Sequence, residues 1–312
     1  MPLLRVAVVG REARLHKSTA SLGPTLRRAL AGDGPVMILI HGFKFDPTIQ
    51  GRDPHRHIFG YAPKGDFKAV SWPRQLGFGR GNANEGLCIA FGWAARGWFW
   101  DVYREAALAG AALAGMVARI RRLAPDRPVH ILAHSLGARV ALAALPHLGP
   151  GDIARMILLG GCEFESRAAR MLDTGAGRSA EVINVTSREN DFYEFMFERL
   201  IRPDHWRDRG IGPGLRGGRP NWADLQIDHP EAQRALASLG FPIKDERFRV
   251  CHWSTYNRRG LMPFYAALLR QPRALPLAVL RAHLPEQEPR YRQFLALPDL
   301  PPVLPSRIRR PS

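Results

Sequence analysis

Short apolar runs recur along the chain, and segments with helical patterning separate them. The runs that predict strands are residues 3–10, 36–40, 67–72, 128–133, 154–160, 181–187 and 247–251. Short apolar runs bounded by turn residues are typical of buried strands. Helices are predicted between them, including a long one over residues 101–123. This alternation indicates an α/β fold with a doubly wound, mostly parallel sheet.

The region 128–145 carries the strongest chemical signal. A predicted strand leads into Ala133-His134-Ser135-Leu136-Gly137, and an Ala- and Leu-rich predicted helix follows. A serine raised on a sharp strand-to-helix turn needs small residues two positions before and after it, and Ala133 and Gly137 satisfy this requirement. We therefore predict Ser135 as a nucleophile. The amide of Leu136, at the positive end of the helix, would face a developing oxyanion.

A second apolar run ends in His41-Gly42-Phe43. A strand followed by His-Gly, upstream of such an elbow, resembles the α/β-hydrolase superfamily, in particular its bacterial serine esterases and lipase-like members. The resemblance covers roughly residues 35–269. It implies that the amide of Phe43 is the second oxyanion donor. Ala133 departs from the glycine that is usual there, although some lipases of the family also have alanine.

The order of the family, serine then acid then histidine, guides the search for the other catalytic groups. His252 is predicted as the general base because it directly follows an apolar run. The other downstream histidines do not follow one: His147, His205, His229 and His283. Asp191, just after the 181–187 run, is the predicted acid, and Glu163 is the alternative one strand earlier. Asp191 could instead cap the next helix.

Aromatic residues near these motifs are candidates for an acyl pocket or a lid, although ordinary packing explains them as well. The side chains assigned to the substrate pocket are His41, Gly42, His134, Trp98, Trp100 and Phe192. A structural role is expected for His134, beside the nucleophile.

The domain prediction is one α/β-hydrolase domain over residues 1–270. Inserted cap or lid segments are expected at about 73–100 and 192–240, where the composition changes. Residues 271–312 are rich in Pro, Arg and Leu and predict a surface-packed or partly disordered tail.

Composition narrows the remaining possibilities. The 312 residues carry 45 Lys and Arg against 28 Asp and Glu, a net charge of +17. The basic residues are scattered, so we expect no specific nucleic-acid binding and at most a weak association with anionic surfaces. Three cysteines without metal-type spacing predict inert thiols, namely Cys88, Cys162 and Cys251.

No metal or organic cofactor is expected. His55 and His57 lie in a polar segment and are predicted to be exposed to solvent and not metal ligands, because no acidic partner or third histidine accompanies them. No signal peptide or membrane span is apparent in the sequence, which predicts a cytoplasmic location.

The leading hypothesis is a serine hydrolase that cleaves carboxylic esters of small molecules through a Ser-His-Asp triad and an acyl-enzyme. A thioesterase, an amidase or an acyltransferase would use the same groups. A non-catalytic binding protein of the same fold is the alternative from another class, and nucleic-acid binding through the basic surface ranks last.

Overall fold

A computed structural model describes residues 3–63, 69–244 and 249–285 of the chain. Within these ranges an eight-stranded sheet forms the centre of the molecule. Its strands are β1 (Leu3–Val9), β2 (Glu12–Leu15), β3 (Val36–Ile40), β4 (Leu87–Gly92), β5 (Val129–His134), β6 (Arg155–Leu159), β7 (Glu181–Thr186) and β8 (Trp222–Gln226). Their order is β2-β1-β4-β3-β5-β6-β7-β8. The hairpin of β1 and β2 is antiparallel and the other neighbours are parallel, which confirms the predicted sheet type.

Helices cover both faces of the sheet. They are α1 (Leu22–Ala29), α2 (Trp72–Gln75), α3 (Phe99–Leu123), α4 (Leu136–Ala144), α5 (Glu165–Leu172), α6 (Gly175–Ser179), α7 (Asp191–Leu200), α8 (Pro230–Ser238), α9 (Ser254–Asn257), α10 (Leu261–Arg270) and α11 (Leu277–His283). In the part of the chain that the structure describes, 3₁₀ turns also lie at Pro54–Arg56, Leu145–His147 and Arg188–Asn190. One core joins the sheet to α1, α3, α4 and α5, and a second core joins it to α8, α10 and α11. Every residue of β3, β4, β5 and β6 is buried, as expected for parallel strands covered on both sides.

The structure corrects two predicted insertions. Strand β4 lies within 73–100 and pairs with both β1 and β3, so this stretch contributes to the middle of the sheet. Strand β8 lies within 192–240 and pairs with β7 at the edge. The strand predicted at 67–72 is not formed in its described part. Residues 67 and 68 lie outside the described ranges, and Trp72 begins α2 after an N-cap at Ser71.

The predicted strand before His252 is also absent from the described part of that segment. Residues 247 and 248 lie outside the described ranges, and residues 249–251 are irregular. The beginning of the predicted tail packs on the second core, where Leu277 and Leu280 of α11 are buried. Residues 286–312 lie outside the described ranges. Among the described helices, none combines the length and the apolar character that a membrane crossing requires.

The prediction for His55 is wrong. Its side chain is 1% exposed, and Asp53 and His16 lie beside it. Asp53 is only two residues away along the chain, and it caps the 3₁₀ turn by accepting from the amide of His55 at 3.0 Å. His57 is half-buried.

Candidate active site

Ser135 lies at the junction of β5 and α4 with φ 57° and ψ −125°. A positive φ is costly for a residue with a side chain and persists only where the surroundings impose it. The Ser135 amide donates to the carbonyl of Leu159 at 2.9 Å, and the Cys162 amide donates to the carbonyl of Ser135 at 3.1 Å. A Cβ on Gly137 would lie 2.7 Å from the carbonyl oxygen of His41. The turn therefore has the strained conformation and the close packing expected of a nucleophile elbow.

His252 faces the serine across the end of the sheet. Its Nε2 atom lies 2.8 Å from Ser135 Oγ. The Cys251 amide donates to the carbonyl of Glu189 at 2.8 Å, and His134 Nε2 donates to the carbonyl of His252 at 2.9 Å. The Tyr193 ring stacks on the imidazole with centroids 4.6 Å apart. These contacts fix the position of His252, although the described residues just before it, 249–251, form no strand.

Asn190 is the partner on the other side of the imidazole. Its Oδ1 atom lies 2.6 Å from His252 Nδ1. Its Nδ2 group donates to Glu194 Oε1 at 3.3 Å, and the Glu194 side chain is buried. A carboxylate accepts hydrogen bonds, so Glu194 directs the amide nitrogen toward itself and the amide oxygen toward His252. The Nδ1 atom of His252 then carries the proton, and Nε2 is free to accept one from Ser135.

The structure thus places Asn190, not the predicted Asp191, at the orienting position. The carboxylate of Asp191, at the start of α7, accepts from Arg188 Nε at 2.9 Å in a buried ion pair. The alternative acid, Glu163, pairs with Arg139 of α4, bonds to the Tyr103 hydroxyl and accepts from the Phe164 amide at 2.8 Å. Its role here is to anchor the elbow helix to α3.

The protonation state of the two neighbouring histidines follows from burial. Desolvation lowers the pKa of His252 well below its ordinary value, and the nearby His134 and Lys44 act in the same direction. Burial also lowers the pKa of His134 to about 4. Both rings are therefore neutral at pH 7, which is the state that a general base requires.

The predicted oxyanion segment lies directly beside the nucleophile. A Cβ on Gly42 would be 2.6 Å from Ser135 Cβ, so the backbone of residues 41–43 could not approach the elbow if a side chain were present. The Phe43 ring contacts Phe99 at the start of α3, with centroids 5.2 Å apart. The amides of Phe43 and Leu136 thus belong to the two segments that meet at Ser135.

His41 supports this segment from behind, which corrects its assignment to the pocket. Its ring is fully buried, accepts from the Trp93 amide through Nε2 at 3.1 Å, and donates through Nδ1 to the Gly42 carbonyl at 2.9 Å. Burial lowers its pKa to about 4. His134 likewise acts on the backbone of His252.

The remaining predicted pocket residues are exposed. Trp98 and Trp100 stack on each other with centroids 5.2 Å apart and are 70% and 48% exposed, and Phe192 is 44% exposed. Asn190, Glu194 and Tyr193 were not predicted from the sequence as part of the site. The position of Cys162 beside the nucleophile was not predicted either, and its Sγ lies 3.6 Å from Ser135 Oγ. Asn190 and Asp191 are adjacent just after β7, and the carboxylate that is usual in such triads favours Asp191 in the sequence.

Comparison with known proteins agrees with this architecture. Residues 20–158 match the model of a family described as alpha/beta hydrolase of unknown function (DUF900). The chain has the α/β-hydrolase fold. This result confirms the predicted fold and the predicted resemblance. The matched residues include the Gly42 segment and the Ser135 elbow, but they end before Asn190 and His252.

The solved structures that are similar to parts of the chain include MenH and phospholipase PlaB. MenH from S. aureus shares 12% identity, with 62% of this chain and 85% of MenH covered and a TM-score of 0.32. Phospholipase PlaB from Legionella pneumophila, solved in complex with thio-NAD, shares 14% identity, with 52% of this chain and 40% of PlaB covered and a TM-score of 0.27. No curated protein matches the chain.

Proposed function

We propose that this α/β-hydrolase-fold protein is a serine hydrolase that cleaves carboxylic esters, with Ser135, His252 and Asn190 as its catalytic triad. The observation that carries the proposal is the 2.8 Å contact of His252 Nε2 with Ser135 Oγ at a serine with φ 57°. A nucleophile, a base within hydrogen-bond reach and a third group that orients the base are the parts that covalent acyl transfer requires.

In the first half-reaction, Ser135 Oγ attacks the acyl carbon of the ester as His252 Nε2 takes the hydroxyl proton. The amides of Phe43 and Leu136 donate to the oxyanion of the tetrahedral intermediate. The intermediate collapses as the imidazolium returns the proton to the departing alcohol oxygen. The product is an ester between the acyl group and Ser135.

In the second half-reaction, His252 takes a proton from a water molecule, which attacks the acyl carbon. The second tetrahedral intermediate collapses as the proton passes to Ser135 Oγ, and the carboxylic acid leaves. Asn190 Oδ1 accepts from His252 Nδ1 throughout and keeps the ring in the required tautomer. As a neutral amide, it stabilises the imidazolium less than a carboxylate would.

The aromatic side chains around the site favour an apolar acyl group. Phe43 and Phe99 lie in edge contact beside the proposed oxyanion amides, and Tyr193 covers the imidazole. The exposed Trp98, Trp100 and Phe192 offer further apolar surface on the neighbouring helices.

Hydrolysis of p-nitrophenyl esters from acetyl to palmitoyl tests the proposal. We expect turnover by the wild type, a chain-length optimum, and loss of turnover in Ser135→Ala. Ser238→Ala is the matched control, because Ser238 also precedes Leu-Gly but lies in α8 with an exposed side chain. Equal rates in the wild type and Ser135→Ala would contradict the proposal. Parallel thioester and amide substrates identify the preferred leaving group.

A further inference from the structure

Three side chains with metal-binding atoms meet at a place the proposed reaction does not use. One ligand-type atom from each of His16, Asp53 and His55 lies within 4.8 Å of the other two. His16 follows β2, and Asp53 and His55 lie at the 3₁₀ turn Pro54–Arg56. We propose that His16, Asp53 and His55 bind a divalent transition-metal ion of the Zn²⁺ class.

The geometry of His55 is the second observation behind this proposal. Its side chain is 1% exposed, and neither ring nitrogen has a hydrogen-bond partner among the described residues. A buried polar group without a partner costs free energy, and an imidazole nitrogen regains that cost by coordinating a metal.

Asp53 completes a donor set of two imidazoles and one carboxylate. Its Oδ1 atom accepts from the His55 amide at 3.0 Å, which fixes the carboxylate. Its Oδ2 atom lies 3.0 Å from His16 Nε2 and 3.0 Å from Lys17 Nζ. Two nitrogens and one oxygen are donors that suit zinc.

The ion pair of Lys17 Nζ with Asp53 Oδ2 shows that this carboxylate already binds a positive charge. The Lys17 side chain is 60% exposed, so the ammonium can move into solvent when a metal ion takes its place on Asp53. The metal would then join the β1–β2 hairpin to the segment that follows the Gly42 backbone. We therefore assign the ion a structural role in holding that segment, separate from the reaction at Ser135.

Two measurements on the chelator-treated, tag-free protein test the proposal. Calorimetry monitors a Zn²⁺ titration, and elemental analysis after dialysis counts the Zn²⁺ that stays bound. We expect one Zn²⁺ per chain in the wild type. His16→Gln and Asp53→Asn should weaken binding by more than about 100-fold, because each removes a direct ligand. Asn at position 53 keeps the oxygen that accepts from the His55 amide, so this variant should fold. His147→Gln, at an exposed histidine, is the matched control and should bind as the wild type does.

Lys17→Met provides an independent test, because this variant should bind Zn²⁺ more tightly and not more weakly than the wild type. Removing the competing ammonium should tighten Zn²⁺ binding by about fivefold, which corresponds to about 1 kcal/mol for a pair in which the lysine is exposed and the carboxylate is buried. Absence of stoichiometric binding in the wild type would overturn the proposal. Wild-type affinity in Asp53→Asn, or weaker binding in Lys17→Met, would overturn it as well. None of these readouts depends on esterase activity.

Discussion

The imidazole of His252 is oriented by a neutral amide, because Asn190 Oδ1 lies 2.6 Å from His252 Nδ1. An amide can present either its oxygen or its nitrogen to a neighbour, and only the oxygen favours the tautomer that can accept the serine proton. The Glu194 carboxylate, 3.3 Å from Asn190 Nδ2, selects the productive orientation. Glu194 is therefore a positioning residue for the base.

Glu194→Gln removes this selection, because a glutamine amide can donate to Asn190 Oδ1 and turn the nitrogen toward His252. We predict a fall in kcat of up to about 10⁴-fold, the loss that a wrong imidazole tautomer causes in a serine protease triad. KM should change little. Glu198→Gln, one turn further along α7, is the control and should keep wild-type kinetics. An unchanged kcat in Glu194→Gln would refute the positioning role.

The pH dependence of catalysis should reflect the lowered pKa of His252. The base must be neutral to act, and burial keeps it neutral well below pH 6.5. We therefore expect kcat/KM to stay constant as the pH falls from 8 to below 6. An acid limb near pH 6.5 or above in the wild type would contradict the burial argument.

A carboxylate at position 190 should raise the pKa of His252 again and so move the acid limb of kcat/KM upward. Asn190→Asp combined with Glu194→Gln places one negative charge beside His252 without a second carboxylate 3.3 Å away. The imidazolium is then favoured, so the acid limb of kcat/KM should move upward by about 1–2 pH units. The Glu194→Gln single variant separates the effect of the charge from the effect of removing Glu194. An acid limb at the wild-type position would show that residue 190 does not act on the imidazole.

Asp224 should make stability depend on pH. Burial raises the pKa of Asp224 to about 6, although Asn184 and Trp222 both donate to its Oδ1 atom. The folded chain therefore binds this proton more tightly than the unfolded chain. Protonation of Asp224 therefore contributes on the order of 3 kcal/mol to the free energy of unfolding. This contribution is fully present below about pH 4 and is lost as the pH rises through about 6.

Asp224→Asn keeps the Oδ1 acceptor and removes the titration. Relative to the wild type, we predict that the variant gains thermal stability on going from pH 4.5 to pH 7.5. Unfolding followed by circular dichroism at both pH values measures the difference. A constant difference in Tm between the two proteins would argue against the raised pKa.

The buried pair of Glu163 and Arg139 should be essential for stability. Glu163→Gln leaves the Arg139 guanidinium without its counter-charge inside the protein, and breaking a buried pair in this way costs about 3–5 kcal/mol. Glu231→Gln breaks an exposed pair with Arg234 and should cost less than about 1 kcal/mol. Urea unfolding of both variants measures the two costs. Equal losses would mean that burial does not set the cost.

Local patterns in the sequence were sufficient to predict the sheet type and the elbow. The apolar run before Ser135 and the small residues around it meet steric requirements of the adjacent backbone. Residues that are neighbours in the sequence meet such requirements, so the sequence shows them directly. Strand β4 was missed because residues 77–86 before it and 93–100 after it look like one irregular segment. β4 pairs with β1 and β3, which are distant from it in the sequence, and the composition of residues 77–100 does not predict this pairing.

Side-chain contacts between distant parts of the chain were likewise not predictable from the sequence, as Asn190 and the buried His55 show. Asn190 and Asp191 are adjacent, and the 3₁₀ turn at Arg188–Asn190 decides which of them reaches His252. That turn is held from outside by the amide of Cys251 and by the buried ion pair of Glu189 with Arg258. His16 and Asp53 are 37 positions apart, so their contact was invisible in the sequence.

Covalent labelling with a fluorophosphonate tests the central claim most directly. Intact mass spectrometry and peptide mapping should find one adduct per chain on Ser135 in the wild type and in Ser238→Ala. Ser135→Ala should remain unlabelled, and His252→Ala should label far more slowly because the base is missing. A wild-type protein that folds but takes up no probe, or an adduct on another serine, would contradict the assignment of Ser135 as an activated nucleophile.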